Sequence, residues 1–138
     1  MNMKVISKDL GFGIKLITLN DPKTYNSLSF NTLNELSKLL KKFNIDNRTR
    51  VIIISGNGKG FSAGHNLKEV KSLKVRSKYL KLFNLCSKVM MQIVDGRKPV
   101  IAKVHGAAFA AGFQLSSSCD LAYSTNDAIF ATPGVNIW

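Results

Sequence analysis

The amino-acid sequence predicts an α/β fold with a largely parallel sheet. Apolar segments of strand length alternate with amphipathic segments of helical length along the chain. Arg50 to Ser55 (RVIIIS) is almost wholly apolar, which is typical of a strand buried on both faces of a parallel sheet. Alternating strands and helices favour parallel pairing. The 138 residues contain no linker, low-complexity segment or strong internal repeat, so we expect one domain over 1–138.

The first third of the chain predicts one strand and one helix. Gly13 to Leu19 alternates in polarity and is rich in branched residues, which favours a strand. Asn20-Asp21-Pro22 ends it. Ser29 or Asn31 can cap the following helix, because a short polar side chain accepts a hydrogen bond from the free N–H groups of a first turn. Its apolar stripe recurs at spacings of three and four: Leu33, Leu36, Leu40 and Phe43.

The middle of the chain predicts a glycine-rich loop followed by helices. The loop runs from Gly56 to His65, and a helical pattern begins at Leu67. Gly96 and Pro99 end a longer amphipathic helix. The apolar positions of that helix are Tyr79, Leu82, Cys86, Val89, Met90 and Ile93.

The last third predicts three further strands and a short helix. The expected strands are Pro99 to His105, Asp120 to Ser124 and Ala128 to Ala131. Gly106 to Gly112 is a loop of small residues that leads into a short helix near Phe113 to Ser118, and Thr132-Pro133-Gly134 forms a turn.

Composition indicates a soluble, strongly basic protein. The net charge is +12, from 20 Lys and Arg against 8 Asp and Glu. Two interpretations stay open: a polyanionic partner, or a lysine-rich solvated surface, which we favour. Lys68 to Lys88 holds seven basic residues and one acid, Glu69, so it can attract phosphates. We expect a cytoplasmic protein, because the N-terminus resembles neither a signal peptide nor a presequence, and Cys86 and Cys119 lack metal or redox spacing. We expect neither a membrane partner nor a metal.

Two loops carry the candidate chemistry, Lys59–Leu67 and His105–Gln114. Each follows an apolar strand and leads into a helix, and in α/β folds ligands bind beyond the carboxyl ends of strands. Small residues let the main chain approach a ligand, and a helix start leaves N–H groups unpaired. Two such loops could direct two N–H donors at one oxygen, which defines an oxyanion hole. The first loop fits neither the phosphate-binding P-loop nor the dinucleotide fingerprint.

At these loops the sequence resembles the crotonase superfamily, the enoyl-CoA hydratase/isomerase family. Five blocks in the same order carry the resemblance: Leu19 to Leu28, Val51 to Gly56, Phe61 to Glu69, Lys98 to Gly106, and Cys119 to Ala122. The resemblance implies a crotonase-like spiral of β-β-α units. The His65 loop, Cys86 to Met91 and Phe130 to Asn136 resemble the branch called enoyl-CoA hydratase domain-containing protein 3.

The resemblance implies a site that polarises the thioester carbonyl of an acyl-CoA and stabilises an enolate. The first backbone donor falls on His65 and the second on Ala111, where alanine replaces the usual glycine but keeps the N–H. The His65 imidazole has two interpretations, a catalytic base or, as we favour, a group that fills space beside the ligand. His105 is interpreted as structural. Coenzyme A enters with the substrate, so we expect no separate cofactor. The residues expected to contact the CoA thioester are Ala63, Gly64, His65, Asn66, Leu67, Lys68, Ala111 and Gly112.

The sequence departs from the family at the two acid–base positions. Family hydratases use two glutamates, and these fall on Gln114 and Gly134, neither of which can carry a proton at neutral pH. Relatives are also about twice this length, so we expect the fold to stop before the C-terminal helical region. That region supplies the contacts of a homotrimer or a dimer of trimers.

Three functions therefore compete. The first is an acyl-CoA lyase or isomerase resembling enoyl-CoA hydratase. The second is an acyl-CoA-binding protein that lost its acid and base. The third is RNA binding through the helix lysines Lys38, Lys41 and Lys42, which we consider the weakest because no aromatic stacking platform accompanies them.

Overall fold

A computed structural model describes residues 2–136 and confirms the α/β class. The strands are β1 (Val5–Asp9), β2 (Ile14–Leu19), β3 (Val51–Gly56), β4 (Val100–Val104), β5 (Ala107–Phe109), β6 (Leu121–Ser124) and β7 (Ile129–Ala131). The α-helices are α1 (Phe30–Ile45), α2 (Leu67–Ser72), α3 (Arg76–Val94) and α4 (Ala111–Ser117). Single 3-10 turns occupy Pro22–Thr24 and Pro133–Asn136. Across residues 2–136 there is no helix with the length and apolar character needed to cross a membrane.

The main sheet has five strands in the order β1-β2-β3-β4-β6. All its pairings are parallel except that of β1 with β2. β1, which the sequence pattern does not predict, lies at the edge of the sheet and has one buried residue, Val5. Four polar or exposed residues follow Val5, so its sequence lacks the apolar alternation of a half-buried strand.

The helices cover one face of this sheet. The Ser29 hydroxyl accepts a hydrogen bond from the Thr32 N–H (3.2 Å), so Ser29 rather than Asn31 caps α1. The predicted stripes of α1 and α3 are confirmed, since all but the half-buried Tyr79 are buried in one core with the sheet. The sheet residues of that core include Ile17, Leu19, Ile52, Ile54, Val100, Ala102 and Val104.

The prediction that β3 is buried on both faces is wrong. Ile52 and Ile54 are fully buried, whereas Val51 and Ile53 on the other face are only half-buried. The same half-buried row crosses the sheet through Leu16, Ile53 and Ile101, which are paired in register. β3 therefore has apolar side chains on a second face that the described residues cover only in part.

A second, smaller parallel sheet positions the site. β5 pairs with β7, and Ser62 forms a parallel bridge to Ala108 on the other side of β5. The prediction of a plain loop over Gly106 to Gly112 is therefore wrong, because its centre is the strand β5. The short helix after it begins at Ala111 rather than near Phe113.

The chain repeats a β-β-α unit, as the resemblance implied. β1 and β2 precede α1; β3 and the Ser62 segment precede α2 and α3; β4 and β5 precede α4. In the second and third units one strand joins the main sheet and the other joins the small sheet. This arrangement confirms the crotonase-like spiral over the described residues.

Candidate functional site

An apolar cavity of about 350 Å³ lies at the carboxyl ends of the three segments of the small sheet. The Ser62 segment supplies Ala63 and His65, β5 is followed by Ala110, and β7 is followed by Pro133 and Gly134. The helices α2 and α3 close the cavity with Leu67, Val70 and Phe83. The structure therefore brings the first loop, the second loop and the Gly134 turn to one place, which is where ligands bind in α/β folds.

The two predicted N–H donors come from adjacent backbone segments. A side-chain carbon added at Gly64 would lie 3.1 Å from the Ala111 nitrogen and 2.9 Å from the Phe109 carbonyl oxygen. Gly64 has a φ of +90°, so glycine is needed both for this conformation and for this approach. Within residues 2–136, neither the His65 N–H nor the Ala111 N–H donates to a protein acceptor. Both N–H groups therefore have hydrogen-bonding capacity to spare for a ligand.

Main-chain pairing joins the two loops. The Phe61 and Ser62 N–H groups donate to the Ala107 carbonyl (3.0 and 3.1 Å), and the Phe109 N–H donates to the Ser62 carbonyl (2.9 Å). A carbon added at Gly112 would lie 2.2 Å from that same Ser62 carbonyl oxygen. Gly112 is therefore a packing contact between the loops, and it does not line the cavity.

A buried asparagine fixes the first loop from beneath. Asn26 is fully buried, accepts from the Asp21 N–H (2.9 Å) and donates to the carbonyls of Asn57 (2.8 Å) and Gly60 (3.0 Å). Its own carbonyl accepts from the Ser62 hydroxyl (2.8 Å), which in turn accepts from the Gly64 N–H (3.2 Å). This chain of hydrogen bonds ends one residue before the His65 donor.

The second donor follows a strained residue. Ala110 has φ +51° and ψ −120°, a conformation that costs an alanine about 1–3 kcal/mol and costs glycine little. Its N–H donates to the Ala131 carbonyl (2.9 Å), which holds this turn against β7. This conformation of Ala110 turns the chain from β5 into α4. Ala111 is therefore the first helical residue, and its N–H has no acceptor within the helix.

The His65 imidazole lies in the wall of the cavity. Its ring stands edge-on to Phe83, with centroids 5.1 Å apart and an interplanar angle of 87°. Nδ1 is buried and has no hydrogen-bond partner within the described residues. Burial lowers the pKa of His65 below its ordinary value, and the backbone of Leu28 and the Glu69 carboxylate oppose that shift. The ring is therefore neutral at pH 7.

Apart from Gly134, the remaining predicted residues lie outside the cavity or have structural roles. Gln114 is exposed on α4 and does not line the cavity, whereas Gly134 does. The Asn66 side chain caps α2 by accepting from the N–H groups of Lys68 (3.0 Å) and Glu69 (3.2 Å). Lys68 is exposed at the first turn of α2. His105 Nε2 bonds the Gly58 carbonyl (2.6 Å), which agrees with the structural role expected of it.

Sequence reasoning missed four wall residues, Val70, Phe83, Ala110 and Pro133. Val70 and Phe83 lie on helices whose apolar patterns alone cannot distinguish a cavity wall from the core. Across residues 2–136, no three His, Cys, Asp or Glu side chains cluster closely enough to hold a metal ion.

A family model described as enoyl-CoA hydratase/isomerase matches residues 10–137, so the chain belongs to the enoyl-CoA hydratase/isomerase family. Among its relatives is human enoyl-CoA hydratase domain-containing protein 3, mitochondrial, which is 46% identical over 125 residues. That match covers 91% of this chain and 41% of the relative. A probable enoyl-CoA hydratase of Bacillus subtilis is 35% identical over 98% of this chain and 52% of its own length.

Solved structures agree with this assignment. An enoyl-CoA hydratase from Mycobacterium smegmatis superimposes with a TM-score of 0.94 at 40% identity, over 97% of this chain and 52% of that one. Human enoyl-CoA hydratase domain-containing protein 3 superimposes with a TM-score of 0.92 at 43% identity. This match covers 97% of this chain and 53% of that one. The resemblance to that branch is therefore confirmed, and the chain spans about half the length of these relatives.

The prediction of a cytoplasmic protein is wrong. The relatives called enoyl-CoA hydratase domain-containing protein 3 in human, Xenopus laevis and rat are named as mitochondrial, which points to mitochondria. The prediction rested on the absence of a recognisable presequence, and that absence does not specify a compartment.

Opposite effects are expected at two neighbouring small residues. Ala110→Gly should raise the free energy of unfolding by about 1 kcal/mol, because glycine adopts this φ and ψ without strain. Gly112→Ala should lower it by about 3 kcal/mol, because the new carbon would overlap the Ser62 carbonyl, which main-chain pairing holds in place. Urea denaturation of both variants measures the difference. Equal effects of the same sign would contradict this account of the second loop.

Asn26→Gly should lower the free energy of unfolding by about 3 kcal/mol. Glycine keeps the positive φ of this position (53°), so the loss does not come from backbone strain and reports mainly the buried hydrogen bonds. Asn126→Gly, at an exposed position, is the matched control and should have little effect. Thermal or urea unfolding of the two variants tests this, and equal stability would show that the Asn26 side chain does not support the loop.

Proposed function

We propose that the chain binds the thioester carbonyl of an acyl-CoA between the His65 and Ala111 N–H groups and stabilises the enolate of that thioester. The observation that carries the proposal is the approach of the two loops, in which a carbon at Gly64 would lie 3.1 Å from the Ala111 nitrogen. Two fixed N–H donors that meet one oxygen stabilise the negative charge that develops there. Membership of the enoyl-CoA hydratase/isomerase family supports this substrate class.

The cavity wall supports an uncharged aliphatic acyl group. Apart from His65, every described residue that lines it has an apolar side chain or none: Ala63, Leu67, Val70, Phe83, Ala110, Pro133 and Gly134. Burying a carboxylate among them without a partner would cost several kcal/mol. Acyl groups with a second carboxylate should therefore bind poorly.

The basic segment around α2 supports the coenzyme A part of the ligand. α2 follows His65 directly, and its exposed residues Lys68 and Lys71 lie beside the cavity residues Leu67 and Val70 in sequence. Cationic side chains near an apolar cavity attract phosphate groups. They therefore suit a ligand whose acyl end is neutral and whose other end carries phosphates.

The reaction differs from that of hydratases with two glutamates. Gly134 lines the cavity without any side chain, and Gln114 is exposed and cannot titrate. General acid–base groups each contribute about a hundred- to ten-thousand-fold. We infer an enolate-stabilising site with little hydratase activity, and the alternative is a protein that binds acyl-CoA without reaction.

Acyl-CoA binding can be blocked at the cavity. Ala63→Leu adds three carbons to an exposed side chain that lines the cavity, and it should weaken hexanoyl-CoA binding about tenfold or more. Ala122→Leu, at an exposed position on β6, is the matched control and should bind as the unmodified protein does. Calorimetric titration measures both. The absence of hexanoyl-CoA binding by the folded, unmodified protein would refute the proposed function.

Hydration of crotonyl-CoA should be slow. Because no carboxylate side chain lines the cavity among the described residues, we expect a rate about a hundredfold or more below that of a relative with both glutamates. Gly134→Glu places a carboxylate in the wall and should raise this rate, whereas Gln114→Glu alone should not, because Gln114 is exposed and outside the wall. Ultraviolet absorbance of the enoyl thioester follows the reaction. Ordinary hydratase turnover by the unmodified protein would contradict the argument from these two positions.

A further inference from the structure

His65 is the one ionisable side chain in the described wall of the cavity. The other lining residues are aliphatic, aromatic, proline or glycine. The nearest acid in sequence, Glu69, does not line the cavity, and its Oε1 accepts from the Phe30 N–H (3.1 Å). Among the described residues, proton transfer to or from a ligand inside this cavity therefore falls to His65.

The two ring nitrogens of His65 have different surroundings. Nδ1 is buried and has no partner within the described residues, so it is closed to a ligand. Nε2 is not among the buried nitrogens without a partner, so of the two ring nitrogens it is the one left to meet a ligand in the cavity that His65 lines. The edge-on contact with Phe83 holds the ring in this orientation.

The same residue supplies the proposed N–H donor and a side chain in the wall of the cavity. A thioester carbonyl held by the His65 N–H has its α-carbon one bond from the carbonyl carbon. The imidazole of that residue lies in the wall of the same cavity, so it faces the acyl end of the same ligand. A base and an oxyanion donor at adjacent atoms of the substrate are what enolate formation needs.

We propose that the His65 imidazole is the base that forms the enolate of a bound acyl-CoA, an inference that rests on the proposed function. Nε2 accepts a proton from the α-carbon, the carbon–hydrogen bond breaks, and its electron pair forms the α-carbon to carbonyl-carbon double bond. The negative charge then lies on the thioester oxygen at the His65 and Ala111 N–H groups. Return of a proton to the α-carbon restores the thioester, so the step needs no further reactant.

The experiment is hydrogen exchange at the α-carbon of hexanoyl-CoA in deuterated water, followed by mass spectrometry. The unmodified protein should replace α-hydrogen by deuterium. His65→Gln keeps the backbone N–H and a polar side chain but has no base, so exchange should fall about a hundredfold or more. Calorimetry should show that this variant still binds hexanoyl-CoA, because its backbone N–H and the rest of the cavity wall are kept. His105→Gln is the matched control, because His105 does not line this cavity, and it should exchange at the original rate.

The outcomes separate this inference from the proposed function. Binding by the unmodified protein without exchange would refute the base and leave the binding site standing. Exchange by His65→Gln at the original rate would also refute it. No binding of hexanoyl-CoA by the folded, unmodified protein would refute the proposed function, and this inference with it.

Discussion

The pairing of Ser62 with β5 is the constraint on which the rest of the site depends. The Ser62 carbonyl accepts from the Phe109 N–H (2.9 Å), and the Cα of Gly112 packs against that same carbonyl. A parallel pairing brings the carboxyl ends of its strands to one edge, so Gly64 and Ala111 meet there. The two loops are long and consist mainly of residues with small side chains, yet this pairing leaves them little freedom to separate.

Support for that pairing comes from a segment distant in sequence. The Ala63 N–H donates to the Tyr25 carbonyl (2.9 Å), and the Leu28 N–H donates to the Gly64 carbonyl (2.7 Å). Asn26 lies between these two contacts and is fully buried, with its amide satisfied by three backbone groups. A buried polar side chain this fully satisfied fixes one arrangement, because any shift leaves several groups unpaired at once.

Periodicity predicted the helices well and the small sheet poorly. The stripes of α1 and α3 were evident because many apolar positions repeat within one continuous segment. β5 and the Ser62 bridge contain three residues or fewer, and their stability comes from partners that local sequence does not specify. The same holds for β1, which has one buried residue and therefore no alternation of buried and exposed positions. The two loops of the site were evident from their small residues between a strand and a helix. The family resemblance then gave His65 and Ala111, but not Phe83 or the Ala110 strain.

Backbone N–H donors and side-chain acids or bases respond differently when residues of a binding site are substituted. An N–H donor survives any residue that keeps the backbone conformation, so alanine at 110 and 111 preserves the donor, at the cost of strain at Ala110. A carboxylate cannot be kept in this way, and glycine at 134 removes it entirely. Burying a charged base in this apolar wall would cost free energy. The same burial lowers the pKa of His65, which keeps the histidine neutral. A neutral imidazole is therefore the kind of base that suits this cavity beside the two proposed N–H donors.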